Sequence, residues 1–230
     1  TSRVAAGSLC KSLLKKLDIE IKSRVLSIGN VTSDDINENL ENINWKQTEI
    51  SEVRSSSINM DEKFKDAILE SKRNKTTIGG IFQVVAFNLP VGLGNFSQWD
   101  RKLDGKIAQA MMSINAVKGV EIGNGFSNTK KPGSEVQDVI VPDNKDRRNF
   151  KHVTNHAGGL EGGVTNGEPI VINVAIKPIA TLAKPLPSVD INTGEIIEAQ
   201  YNRSDVCQVP PACVIGEAMM SLMLTESIIE

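Results

Sequence analysis

Aromatic side chains are scarce, 4% of the 230 residues, which leaves little material for base-stacking platforms. Histidine and cysteine are scarce too, two and three residues. Cys10, Cys207 and Cys213 form no CxxC or Cys/His ligand spacing. Their odd count fits free thiols in a reducing compartment. His152 and His156 are four apart, but they sit beside glycines in a loop with no third ligand in view. No metal site is expected. Excess charge of one sign is also lacking. The net charge of −2 argues against broad electrostatic attraction to nucleic acid. No apolar run approaches the roughly 20 residues that span a bilayer, and no signal-peptide pattern occurs. What remains is a globular composition, 40% hydrophobic, long enough to bury a core as one large domain or two small ones.

Periodicity supplies the elements. Thr1 to Gly7 reads as a helix already under way, with Val4, Leu9, Leu13, Leu14 and Leu17 on one face. The abrupt start reads as the later part of a longer protein. Ile19 to Val25 alternates like a half-buried strand. Residues 30–58 are polar and read as a surface excursion. Met60 to Lys72 is a charged amphipathic helix with Phe64, Ile68 and Leu69 on its apolar side. Ile81 to Phe87 is apolar on both faces, a central strand, and Pro90 ends it. Leu103, Ile107, Ala110, Ile114 and Val117 step by three or four, which predicts a helix. Residues 127–150 read as a mobile loop. Ile170, Ile172, Val174 and Ile176 alternate as a strand, and a hairpin turns near Asn192-Thr193-Gly194. Pro210-Pro211 opens a last apolar helix. Helices and strands mix without strict βαβ alternation, so the predicted class is α+β.

Three stretches could carry chemistry, and each has a plain structural alternative. The first runs from Asn155 to Gly167 and holds glycines 158, 159, 162, 163 and 167. Glycines let backbone approach a ligand and aim N–H groups at an anion. They also simply punctuate loops. The spacing is neither GxGxxG nor a Walker loop. The second is Ile176-Lys177-Pro178-Ile179-Ala180-Thr181, where a strand-end lysine can act as countercharge or be merely solvated. The third is Arg203-Ser204-Asp205-Val206-Cys207. Its guanidinium can clamp an anion and its carboxylate can move a proton, or the two can form an ordinary surface pair. Cys207 reads as a small buried side chain, with no base beside it.

These stretches and others resemble the chorismate synthase family. The matching pieces are Arg3-Val4-Ala5-Ala6-Gly7, Leu89-Pro90-Val91-Gly92-Leu93-Gly94 and the stretch from Met111 to Gly123. Asn155-His156-Ala157-Gly158-Gly159 and Gly162-Gly163-Val164-Thr165-Asn166-Gly167 follow. Ile176-Lys177-Pro178 and Arg203-Ser204-Asp205-Val206-Cys207 complete the set. They occur in the family's order along the whole chain, whereas residues 30–75 and 127–150 resemble nothing specific.

The resemblance implies a flavin-dependent lyase. Its reaction is the 1,4-anti elimination of phosphate from 5-enolpyruvylshikimate 3-phosphate to give chorismate. Reduced FMN is required, and NADPH is a candidate reductant. The implied flavin contacts are Asn115, Ala116, Gly162, Lys177, Pro178, Ile179, Ala180, Thr181 and Arg203. Arg203 would face flavin and substrate, and Asp205 would relay a proton near flavin N5. Ile179-Ala180 departs from the commoner Thr-Pro or Thr-Ser, so backbone contacts would survive there and hydroxyl contacts would not. The family's catalytic histidines lie upstream of Thr1, and His152 and His156 are not their equivalents. The stretch from 1 to 230 alone is therefore expected to be inactive. The implied architecture is one domain over 1–230, a β-α-β sandwich of antiparallel sheets enclosing helices. The implied assembly is a homotetramer, cytoplasmic or, in a eukaryote, plastid. A non-catalytic flavin-binding fragment or assembly subunit, and a generic anion-binding α+β domain, are the alternatives.

Overall fold

The computed structural model describes residues 1–144, 146 and 148–230. Its helices are α1 (Ser2–Lys15), α2 (Trp45–Ile50), α3 (Ile58–Arg73), α4 (Leu103–Met112), α5 (Gly125–Asn128), α6 (Gly133–Val136) and α7 (Val209–Ile229). The strands are β1 (Glu20–Ile28), β2 (Val31–Thr32), β3 (Gly80–Phe87), β4 (Val117–Ile122), β5 (Ile140–Pro142) and β6 (Phe150–His152). They continue with β7 (Leu160–Glu161), β8 (Val164–Thr165), β9 (Ile170–Ile176), β10 (Pro187–Val189) and β11 (Ile196–Glu198). One sheet has the order β2-β1-β3-β9-β4, and β5–β6, β7–β8 and β10–β11 form antiparallel hairpins. This is an α+β fold.

The chain divides into two compact units. The first is Thr1–Ser23, Gln83–Val174 and Val214–Glu230; the second is Arg24–Phe82 and Ala175–Cys213.

In the first unit, alternation along β9 buries Ile170, Ile172 and Val174, as the period-2 pattern requires. Leu103, Ile107 and Met111 bury one face of α4. Each such side chain contributes about 1.5–3 kcal/mol by leaving water. The helix stops at Met112, five residues short of the predicted Val117. Ile114 and Val117 are buried as the period demands, but Ala116 has φ +69, which no helix continues through. The leucine face predicted for α1 is also corrected. Only Leu14 is buried, while Leu9, Leu13 and Leu17 are exposed. The helix docks through Gly7 instead, where a Cβ would lie 2.5 Å from Ala218 Cα in α7.

A further correction concerns α7. At 21 residues it is long and apolar enough, by length and composition alone, to cross a membrane. Its interior carries Glu217, buried and ion-paired with Lys11 of α1, and Ser23 Oγ donates to Glu217 Oε1 at 2.7 Å. A carboxylate so engaged belongs to a protein core.

The second unit contains residues 30–58, predicted as a surface excursion. They carry β2 and α2, and bury Ser33, Ile43, Thr48, Val53, Ser55 and Ser56. Their anchor is Arg24 of β1, 1% exposed, whose Nη1 meets Asp35 Oδ1 at 3.0 Å and the Asp35 carbonyl at 3.1 Å. Ser33 Oγ donates to Asp35 Oδ1 at 2.6 Å and Ser56 Oγ to Oδ2 at 2.5 Å. A polar composition thus conceals a buried, satisfied ion pair. In α3, Met60 and Phe64 are buried, but Leu69 is 46% exposed. The β10–β11 hairpin pairs Val189 with Ile196 around the predicted turn.

Candidate functional site

Four of the resembling stretches are knitted together inside the first unit. Arg3 Nη1 in α1 donates to the Ser113 carbonyl at 3.1 Å and to Ser113 Oγ at 3.2 Å. It thereby fixes the turn that leaves α4. That turn presents Asn115, exposed, and Ala116, whose positive φ turns the chain into β4. The Leu89–Gly94 stretch pairs with the end of the glycine-rich segment. Gly92 N donates to the Thr165 carbonyl at 2.8 Å, and Leu93 N to Thr165 Oγ1 at 2.9 Å. Thr165 is 1% exposed and is a residue the motif reading did not single out.

The glycines divide by what surrounds them. A Cβ on Gly158 would lie 2.3 Å from Gly123 N, and one on Gly159 2.5 Å from the Pro169 carbonyl. A Cβ on Gly163 would lie 2.7 Å from the Asn95 carbonyl. These glycines serve close approach between backbones of the same unit. Gly162 differs: nothing lies within 4 Å of its Cβ position, it is exposed, and its φ is +63. With Gly163 at +98 it makes the β7–β8 turn, the pairing of positive φ angles that suits a tight hairpin.

The residues from 127 to 150, predicted as a mobile loop, hold the end of α5, all of α6 and β5, and the start of β6, which pairs with β5; Lys145 and Arg147 lie outside the described residues. His152 Nδ1 is 3.0 Å from Glu168 Oε1, and His156 Nδ1 donates to the Val136 carbonyl at 3.0 Å. Both rings thus brace this region. Arg148 bridges Asp146 and Glu168 at 2.7 and 3.1 Å. Among the described residues no group of three or more His, Cys, Asp or Glu side chains is placed to hold a metal.

In the second unit, Lys177–Thr181 and Arg203–Cys207 are brought side by side by Thr77-Ile78-Gly79. Thr77 Oγ1 donates to the Ile179 carbonyl at 2.6 Å. Ile78 N donates to the Val206 carbonyl at 3.0 Å, and Ser204 Oγ to the Thr181 carbonyl at 3.3 Å. A Cβ on Gly79 would sit 2.2 Å from the Ile176 carbonyl, so only glycine fits there. Lys177, Pro178, Ala180, Arg203 and Asp205 are exposed, and Ile179 and Thr181 half-buried. Among the described residues Lys177, Arg203 and Asp205 form no ion pair. The surface-pair alternative for Arg203 and Asp205 therefore does not describe them. Burial pushes the Cys207 thiol above its usual pKa, partly offset by the backbone N–H of Val209. That disfavours a thiolate nucleophile.

The family model described as chorismate synthase matches residues 1–229. The chorismate synthase of Sulfurihydrogenibium sp. (strain YO3AOP1) is 48% identical over 236 residues, covering 100% of this chain and 60% of that protein. The chorismate synthase of Staphylococcus aureus (strain JH9) is 45% identical over 230 residues, covering 100% of this chain and 58% of that protein. A solved structure described as "Crystal Structure of Chorismate Synthase" superposes with a TM-score of 0.83 at 39% identity, covering 99% of this chain and 62% of that one. The chain thus spans about 60% of the length of the relatives it matches. A match from end to end, with the quoted motifs knitted as described, places this chain in the chorismate synthase family.

Proposed function

We propose that the protein containing this chain is a flavin-dependent lyase that eliminates phosphate from 5-enolpyruvylshikimate 3-phosphate to give chorismate. The observation that carries the proposal is the family match over 1–229. The chemistry of the donor set supports it. Lys177 and Arg203, exposed and without a protein carboxylate of their own, suit the anionic groups of FMN and of a phosphorylated, carboxylated substrate. The residues present therefore fit the cofactor. Gly162 leaves room where a side chain would stand, and the turn at Asn115-Ala116 presents an exposed Asn115 beside a half-buried Ala116.

Reduced FMN, when bound, supplies the electron-rich ring that assists departure of phosphate without net redox change. In this reading Lys177 and Arg203 bind and orient negative charge. Pro178 to Thr181 offer backbone contacts, and the hydroxyl of Thr181 is the one side-chain donor left after Ile179 and Ala180 replace hydroxyl residues. Asp205 holds and releases a proton. NADPH as reductant, a homotetramer of β-α-β sandwiches and a cytoplasmic location belong to the same proposal. The test is turnover by the full-length protein with reduced FMN and 5-enolpyruvylshikimate 3-phosphate, read as chorismate formed. Absence of product at saturating FMN ends the proposal as an enzyme. Flavin binding without product would favour the non-catalytic alternative instead.

A further inference from the structure

The first unit contains a buried carboxylate that neither the motifs nor the proposed chemistry uses. Asp138 lies between α6 and β5, in a stretch that resembles nothing specific, and its side chain is 3% exposed. Both its oxygens are spent on one short segment. Oδ1 accepts from Thr154 Oγ1 at 2.5 Å and from the His156 N–H at 2.7 Å, and Oδ2 accepts from the Ala157 N–H at 2.9 Å. Among the described residues its titratable neighbour is His156, whose Nδ1 is 4.0 Å from Oδ1 and 3.0 Å from the Val136 carbonyl.

What Asp138 holds continues directly into the glycine-rich stretch. Asn155 takes over from it: its Oδ1 accepts from Gly159 N and its Nδ2 donates to the Pro169 carbonyl, both at 2.8 Å. The same segment is stitched to the far end of β4. Asn124 N donates to the His156 carbonyl at 3.0 Å, and Gly158 packs on Gly123. The near end of β4 is the Asn115-Ala116 turn. One carboxylate therefore anchors backbone that leads, within five residues, to Gly162, and that is tied to the strand launched by Asn115-Ala116. Charge-assisted bonds of this kind are short and strong, and removing the acceptor strands the half-buried N–H groups of His156 and Ala157.

We propose that Asp138 is a positioning residue for the flavin contacts assigned to the first unit, setting the path of residues 154–162. The proposal rests on the flavin reading above. It touches no flavin itself; it fixes the backbone that does.

The test compares full-length wild type, Asp138→Asn and Thr154→Val by FMN titration, turnover against FMN concentration, and amide hydrogen exchange over 153–160. The expected result for Asp138→Asn is faster exchange confined to that segment and an FMN dissociation constant raised about tenfold or more. The maximal rate should return at saturating FMN. A purely structural role would lower the melting temperature yet leave the affinity of the folded protein unchanged, and that result overturns the proposal. Should Asp138→Asn fail to fold, Thr154→Val keeps the charge and removes one bond. A several-fold weaker affinity then supports the proposal, and an unchanged one overturns it. Wild type that binds no FMN sinks the flavin reading, whatever the exchange data show for Asp138.

Discussion

The 154–167 segment of the first unit and the 177–181 and 203–205 segments of the second are built on opposite terms. In the first, polar groups are consumed internally. Asp138, Asn155 and Thr165 satisfy one backbone group after another, and glycines 158, 159 and 163 exist because neighbouring backbone leaves no room for a Cβ. In the second, Lys177, Arg203 and Asp205 stand exposed without ion pairs among the described residues, on backbone held in place by Thr77 and Ile78. In the first region polar groups are already used within the fold, and in the second charged side chains are left facing solvent. Substitutions in the first should therefore be read in unfolding, and in the second in binding.

The largest effect should come from Gly158→Ala. The new methyl meets Gly123 backbone and the residue keeps φ +66, so overlap and strain add to about 2–4 kcal/mol. Chemical denaturation of the full-length protein measures it. A loss no greater than that of an ordinary loop substitution would break the comparison. Next come Lys177→Ala and Arg203→Ala. Each should weaken FMN or substrate binding by about 1.5–3 kcal/mol, tenfold or more, with the melting temperature almost unmoved. Fluorescence titration beside a thermal melt separates the two readouts. If stability falls and affinity does not, these side chains are structural after all.

Gly162→Ala sharpens the first region from within. Its φ of +63 costs an alanine about 1 kcal/mol, but no neighbour is struck. Its stability loss should be clearly smaller than that of Gly158→Ala, and a flavin affinity that falls by more than stability would mark the open side as a contact. The smallest effect is a pH dependence. Burial alone would raise the Asp138 carboxyl, but bonds from Thr154, Ala157 and His156 hold it below its ordinary value of 3.8. A folded-state pKa below the unfolded one stabilises the fold above about pH 4 and stops doing so as pH falls through the folded value. Acid denaturation of Asp138→Asn should lack that component.

Much of this was legible in the sequence, and the failures have identifiable causes. β9 and the β10–β11 hairpin followed from alternation and from Asn192-Thr193-Gly194. The end of α4 did not, because Ile114 and Val117 keep helical spacing while Ala116, a good helix former, adopts a left-handed conformation. The glycine-rich segment was noticed for the right composition, but its glycines mostly face other backbone. Asp138 gave no signal, since its partners lie 16 to 19 residues away. The buried Arg24–Asp35 pair was hidden for the same reason: polar residues over 30–58 read as solvated until their partners are known.

α7 has a consequence for biosynthesis. A ribosome delivers Lys11 and Ser23 long before Glu217, the ninth of the helix's 21 residues. When this apolar stretch emerges, its counter-ion is already waiting in the nascent chain. Until the two meet, Glu217, one of the helix's two glutamates with Glu226, gives the segment a cost of about 2.5–3.5 kcal/mol for partitioning into lipid. A buried acidic side chain would thus steer the helix away from the insertion machinery and toward its upstream partner in α1.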